Sequence, residues 1–228
     1  MTPSVPFAER WFIKMKIVSV MPIKLSNKRL PGKNTMLLGG KPLLQYELEE
    51  VMKVDLINER YVFCSDENIK KYLVDGIEFL RRDKELDLDT SNFTQIFKSF
   101  MKKKEADIYV YIHATAPFVT AKIIQECIEN VMSGVYDSAF CATKIQDFLW
   151  KNNKPLNFDS KNLPRSQDIE PIYRETSGVY VFTKDVFNKL NQRIGEHPFI
   201  KEVGYKEAID INEEADFKLA EAMLNIQL

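Results

Sequence analysis

Lys16-Ile17-Val18-Ser19-Val20-Met21 runs through Pro22-Ile23 into Lys24-Leu25-Ser26-Asn27-Lys28-Arg29-Leu30-Pro31-Gly32-Lys33-Asn34. A β-branched apolar run that opens into a cationic loop reads as a buried strand with a loop at its carboxyl end. In an open α/β sheet, that end of the strand is where ligands bind. None of the chain's 33 acidic residues falls between Met15 and Tyr46, whereas Lys16, Lys24, Lys28, Arg29, Lys33 and Lys41 all do. Pro31-Gly32 shapes a turn that presents backbone N–H groups, and fixed cations match a polyphosphate in kind. The loop is neither G-x-x-x-x-G-K-[ST] nor G-x-G-x-x-G. Cations and side-chain amides, rather than a glycine cradle, are therefore expected to hold phosphates.

Outward from this stretch, apolar runs alternate with helical patterns. Strands are expected at 16–21, 60–64, 77–80, 107–112, about 137–143 and 178–182. Phe93, Ile96, Phe97, Phe100 and Met101 share one helical face, as do Ile123, Cys127, Ile128 and Val131, and later Phe217, Ala220 and Leu224. Gly39-Gly40-Lys41-Pro42 reads as a turn with proline in the first turn of a helix. Strands alternating with helices predict an α/β, doubly wound fold with a mostly parallel sheet covered on both faces.

Composition narrows the function. A chain of 228 residues, 45% hydrophobic, fits one large domain with a sizeable core. With 32 basic against 33 acidic residues there is no global electrostatic footprint for nucleic acid or an acidic membrane. No apolar run is long enough to span a membrane. Cys64, Cys127 and Cys141 are odd in number, widely spaced and set among apolar residues, which suits a reducing, cytoplasmic location rather than a disulfide framework. Residues 1–14 differ in character from the rest of the chain and are read as a leader or extension, leaving 15–228 as the functional domain. Residues 144–176 lack apolar periodicity yet contain Phe148, Leu149, Trp150 and Tyr173. This excursion is read as an insertion bordering a substrate pocket and packing on another subunit.

Met21-Pro22-Ile23 through Asn34, joined by Gly40-Lys41-Pro42-Leu43-Leu44, resembles the signature loop of the acylneuraminate cytidylyltransferases. Ser65-Asp66, Arg82 with Glu85-Leu86, His113-Ala114-Thr115-Ala116-Pro117, Pro164-Arg165-Ser166-Gln167, Gly178-Val179-Tyr180 and Ile209-Asp210-Ile211-Asn212 come in the family's order. The likeness runs from about Met15 to the C-terminus. It implies a three-layer, Rossmann-like nucleotidyltransferase fold with a dimerisation and substrate insertion. It also implies transfer of CMP from CTP to the anomeric hydroxyl of an acidic sugar, with release of pyrophosphate, a Mg²⁺ requirement and a homodimer.

By the same resemblance Lys28, Lys33 and Asp210 are the catalytic candidates. Lys24, Asn27, Arg29, Asn34, Ser65, Asp66 and Arg82 are expected on the nucleotide. His113, Thr115, Arg165, Gln167 and Glu175 are expected on the acceptor, and Asp210 with Asn212 on the metal. Charge neutralisation on the triphosphate and a hard oxygen ligand for Mg²⁺ are what attack at the α-phosphorus requires.

The departures from the family's pattern concern the acceptor more than CTP. Asn212 stands second in what is usually an Asp-x-Asp pair, Lys24 and Leu25 replace an arginine and a small residue, and His113 replaces a glutamine. Val119 lies near a common arginine, which leaves the cation for the acceptor's carboxylate unassigned. A phosphorylated or other non-sialate acceptor, or a nucleotide-binding protein without turnover, stays open beside the acidic sugar. Asp87-Leu88-Asp89 imitates a glycosyltransferase metal motif, but its position just before Thr90-Ser91 predicts acids that serve a helix start.

Overall fold

The computed structural model describes residues 15–224 and residue 226; the expected leader, 1–14, lies outside the described residues. In chain order the elements are β1 (Ile17–Ile23), a hairpin of β2 (Leu37–Leu38) and β3 (Lys41–Pro42), α1 (Leu43–Met52), β4 (Glu59–Cys64) and β5 (Glu78–Arg81). Then come α2 (Phe93–Met101), β6 (Ile108–Ile112), α3 (Ala121–Met132), β7 (Ser138–Ile145) and a second hairpin, β8 (Trp150–Lys151) with β9 (Lys154–Pro155). The chain closes with β10 (Ile172–Thr183), α4 (Lys184–Leu190), β11 (Pro198–Glu202) and α5 (Glu214–Leu224).

Seven strands form one sheet in the order β11-β7-β10-β6-β1-β4-β5. All the pairings in it are parallel except those of β10 with β6 and β7. Period two along β1 divides the core. Ile17, Met21 and Ile23 face a cluster with Leu44, Leu48 and Val51 of α1 and Ile124, Cys127 and Ile128 of α3. Val18 and Val20 face Phe97 and Phe100 of α2 and Phe187 of α4. Helices thus cover both faces, and the predicted α/β, mostly parallel architecture is present. A third cluster seats Phe217 and Ala220 of α5 on Leu38, Leu43 and Phe118.

β1 pairs with β4 on one side and β6 on the other, so the chain order switches direction at β1. In open α/β sheets such a switch point, at the carboxyl ends of the strands, is where ligands bind. Gly39 and Gly40, with φ of 55° and 86°, turn β2 into β3. Pro42 stands one residue ahead of α1, at its N-cap, rather than in the first turn. The start of α2 is set by Asn92, whose side chain accepts from Gln95 N while Gln95 reaches back to Asn92 N.

The excursion leaves the end of β7 and returns along β10. Its hairpin aromatics pack on one another, Phe148 and Trp150 lying 4.8 and 5.5 Å from Phe158. No helix of the described residues is long and apolar enough to cross a membrane.

Candidate active site

The loop after β1 folds back on itself at Gly32, where φ of 69° favours a residue without a Cβ. The turn sends Lys33 and Asn34 inward, and both are buried. The Lys33 ammonium donates to the Ile211 carbonyl at 2.7 Å, and Asn34 Nδ2 donates to the Lys24 carbonyl at 3.2 Å. Burial lowers the Lys33 pKa, opposed by the nearby Asp210 carboxylate. Arg29 Nη2 donates to Asn212 Oδ1 at 2.6 Å. Loop cations and the segment before α5, far apart in sequence, therefore meet at one mouth.

Asp87 and Asp89 correct the sequence reading. With α2 capped by Asn92, they do not serve its start. Asp89 instead takes Lys24 at 2.9 Å and Lys28 on its other oxygen, and these cations hold its carboxyl down at about 2. Asp87 accepts from Ser65 Oγ and from Arg82 Nη2. Arg82 also donates to the Ile23 carbonyl at 2.9 Å, which locks it beneath the loop at 3% exposure.

On the far side of the mouth, Asp210 Oδ1 accepts from Thr115 Oγ1 at 2.6 Å and Oδ2 accepts from Asn212 Nδ2 at 2.8 Å. Ile211 N donates to the Thr115 carbonyl at 2.8 Å, which ties the segment to the loop after β6. Among the described residues no group of three or more His, Cys, Asp or Glu is arranged to hold a metal. Mg²⁺ is commonly held by one or two carboxylates plus substrate phosphates, so the hard-oxygen set of Asp210 and Thr115 fits that ion. Asn212 presents its nitrogen to Asp210 and its oxygen to Arg29.

His113 comes directly after β6, its N–H bonded to the Gly178 carbonyl at 3.2 Å. A Cβ on Gly178 would lie 2.5 Å from Val119 Cγ2, so only glycine lets β10 come this close. The imidazole lies 5.2 Å from the Tyr111 ring and 5.9 Å from that of Tyr180. Burial, with Arg193 adding to it, drives its pKa down to about 4, so the ring is neutral at physiological pH. Tyr180 donates to Glu175, and Arg193 stacks on the Tyr180 ring at 3.7 Å.

The cytidylyltransferase family model matches residues 19–223, spanning both the basic loop and the Asp210 segment. The chain belongs to the cytidylyltransferase family. This bears out the resemblance carried by the loop. It is 25% identical over 205 residues to N-acylneuraminate cytidylyltransferase A of Danio rerio, covering 86% of this chain and 47% of that protein. It is 27% identical over 184 residues to the pseudaminic acid cytidylyltransferase of Campylobacter jejuni, covering 74% of this chain and 79% of that one. The chain thus spans about half the length of the first of these relatives. The solved structure of CMP:2-keto-3-deoxy-manno-octonic acid synthetase complexed with CTP shares the fold, at TM-score 0.67 and 19% identity over 92% of this chain and 98% of that one.

Within this member of the family the expected site residues are distributed as follows. Lys24, Lys28 and Asn34 are linked through Asp89 and the Lys24 carbonyl, Ser65 and Arg82 through Asp87, and Arg29, Lys33, Thr115, Asp210 and Asn212 through the segment before α5, whereas His113 contacts Gly178, Tyr111 and Tyr180. Asn27 belongs to the same loop, and its buried Oδ1 lacks a partner, as do Arg82 Nε and His113 Nε2. Buried polar atoms rarely go unpaired, and these three belong to residues that the sequence assigned to the site. Arg165, by contrast, is exposed and pairs with Asp168 at 2.7 Å; Gln167 is exposed beside it. Asp66 caps the turn Glu67–Tyr72 by accepting from Asn68 N. Glu175 joins the cluster through Tyr180 and Arg193. Arg193 carried no motif in the sequence.

Proposed function

We propose that this protein transfers CMP from CTP to the hydroxyl of an acidic sugar, a sialic-acid-like nonulosonate or a related acid, and releases pyrophosphate. The observation that carries the reading is the Lys33–Ile211 contact. It brings Lys33 near the carboxylate of Asp210, to which Arg29 is linked through Asn212, while Lys24 and Lys28 of the same loop pair with Asp89. The names of the relatives support the acidic acceptor, each being a cytidylyltransferase or synthetase of such an acid.

In this reading Lys28 and Lys24 leave Asp89 to neutralise the β- and γ-phosphates, and Arg29 and Lys33 back them. Arg82, with its free Nε, and Asn34 face the cytidine part with Ser65 and Asp66. The acceptor oxygen forms the new bond to the α-phosphorus, the bond to the pyrophosphate oxygen breaks, and the hydroxyl proton passes to water. His113 stays neutral and serves as a hydrogen-bond partner to the acceptor rather than as a store for that proton. Asp210 and Thr115 are the residues that would hold Mg²⁺, which when bound supplies charge neutralisation for the leaving pyrophosphate.

The homodimer and the cytoplasmic location belong to the same reading. Trp150 and Leu163 of the excursion are 61% and 65% exposed, an apolar surface suited to a second copy. In a dimer, Arg165 and Gln167 of one copy would reach the acceptor of the other. Three free buried thiols suit a reducing compartment. Calorimetry with CTP and Mg²⁺, and pyrophosphate release with a panel of acids, test the assignment. CTP binding that Lys28→Glu with Lys33→Gln abolishes, while the fold melts normally, supports it. Binding untouched by those changes rejects it.

A further inference from the structure

The loop between α4 and β11 delivers a cation to the acceptor half of the mouth. Arg193 Nη2 donates to Tyr180 Oη at 3.0 Å and lies 3.3 Å from Glu175 Oε1. Its guanidinium also sits 5.4 Å from the Phe93 ring and 6.0 Å from that of Tyr111. Nε and Nη1 donate to nothing among the described residues, yet neither is sealed in the interior. Nη2 is thus fixed, while Nε and Nη1 keep their hydrogens unpaired.

The placement is built rather than incidental. Asn191, with φ of 55°, ends α4 in the left-handed region, and its carbonyl accepts from Thr94 Oγ1 at 2.9 Å. Beyond Arg193, Gly195 N donates to Ser138 Oγ at 2.8 Å. Glu196 N and His197 N donate to Asp137 Oδ2 at 2.8 and 3.1 Å. A loop pinned on both sides of a half-buried arginine is what a precise binding group requires.

The chemistry of the surroundings names the ligand. Aromatic rings, rather than further cations, wall the guanidinium, which suits the body of a sugar better than a polyphosphate. With Nη2 taken, the free Nη1 N–H groups offer a carboxylate a charge-assisted hydrogen bond rather than a bidentate pair. The neighbouring His113 Nε2 is buried and has no partner. We propose that Arg193, with the imidazole of His113 beside it, anchors the acceptor's carboxylate and so determines acceptor specificity. This rests on the acidic-sugar reading above. Glu175 and Tyr180 act as positioning residues, holding Nη2 so that Nη1 is left for the acid.

The test uses the full chain with CTP and N-acetylneuraminate, pseudaminate or 2-keto-3-deoxy-octonate, scored by pyrophosphate release. Arg193→Gln is expected to raise KM for the acid that turns over by roughly 10- to 100-fold. Arg193→Lys should recover part of the loss, and CTP affinity by calorimetry should hold in both variants. The methyl ester of the same acid should be a poor substrate for the wild type and no poorer for Arg193→Gln. An unchanged KM, an equal loss on acid and ester, or lost CTP binding in both variants overturns the assignment while leaving the cytidylyl-transfer reading intact. Turnover of no acid by the wild type removes that reading and the proposal with it.

Discussion

Lys24 Nζ rests 2.9 Å from Asp89 Oδ1, while Lys28 closes on the other oxygen of the same carboxylate. One acid thus holds two of the cations assigned to the triphosphate. Asp89 and a nucleotide would compete for the same ammonium groups.

Asp89→Asn is therefore expected to tighten CTP binding by about 2- to 5-fold, the scale of exposed ion pairs. The gain should shrink in high salt. Calorimetric CTP titrations at low and high ionic strength check this. Weaker binding in the variant would mean that Asp89 organises the lysines rather than competing for them.

Asn212 donates its amide to Asp210 at 2.8 Å, so Asn212→Asp would set two carboxylates side by side. Like charges that close repel unless a cation intervenes. The variant should melt below the wild type without Mg²⁺ and gain more than the wild type on adding it. Thermal melts across a Mg²⁺ series read this directly. An identical gain in both proteins would remove position 212 from the metal's surroundings.

Glu47 lies at 0% exposure on α1, neither oxygen well bonded, with the Val119 N–H offering only weak relief. Burial first, then Glu50, pushes its carboxyl well above the ordinary 4.5. A raised acid contributes fully below the unfolded value, and its contribution fades as pH climbs towards the folded one. Glu47→Gln should thus stabilise by about 1–3 kcal/mol at about pH 8, a Tm gain of roughly 3–10 °C, with less gain near pH 5. A gain that is flat with pH would show Glu47 to be ionised in the fold.

His113 has the opposite sign. Its pKa falls from 6.5 to about 4, so the unfolded chain takes the proton first. Its stabilisation is complete above the unfolded value and is lost as pH drops from 6.5 through 4. The loss is at most about 3 kcal/mol. His113→Gln should flatten the acid limb of a Tm–pH profile, and an unaltered limb would assign acid sensitivity to other groups.

Much of the fold was legible in the chain because the central strands are contiguous apolar runs and the loop after the first is cationic throughout. β11 was not, since Pro198 opens it and its side chains alternate between half-buried and exposed at the sheet's edge. Asp87 and Asp89 misled because nearness to a helix looks like capping; Asn92 with Gln95 three residues later was the better signal. Arg193 was invisible for a different reason. Its position depends on Thr94, Asp137 and Ser138, which only the folded sheet brings to its loop.

Because β10 runs against its neighbours, its beginning, rather than its end, arrives where β1 and β6 finish. Residues 144–176 therefore enter and leave the sheet at the end where β1 and β6 finish. On the proposed function, that segment could be rewritten or grafted to change the acceptor without touching the loop after β1.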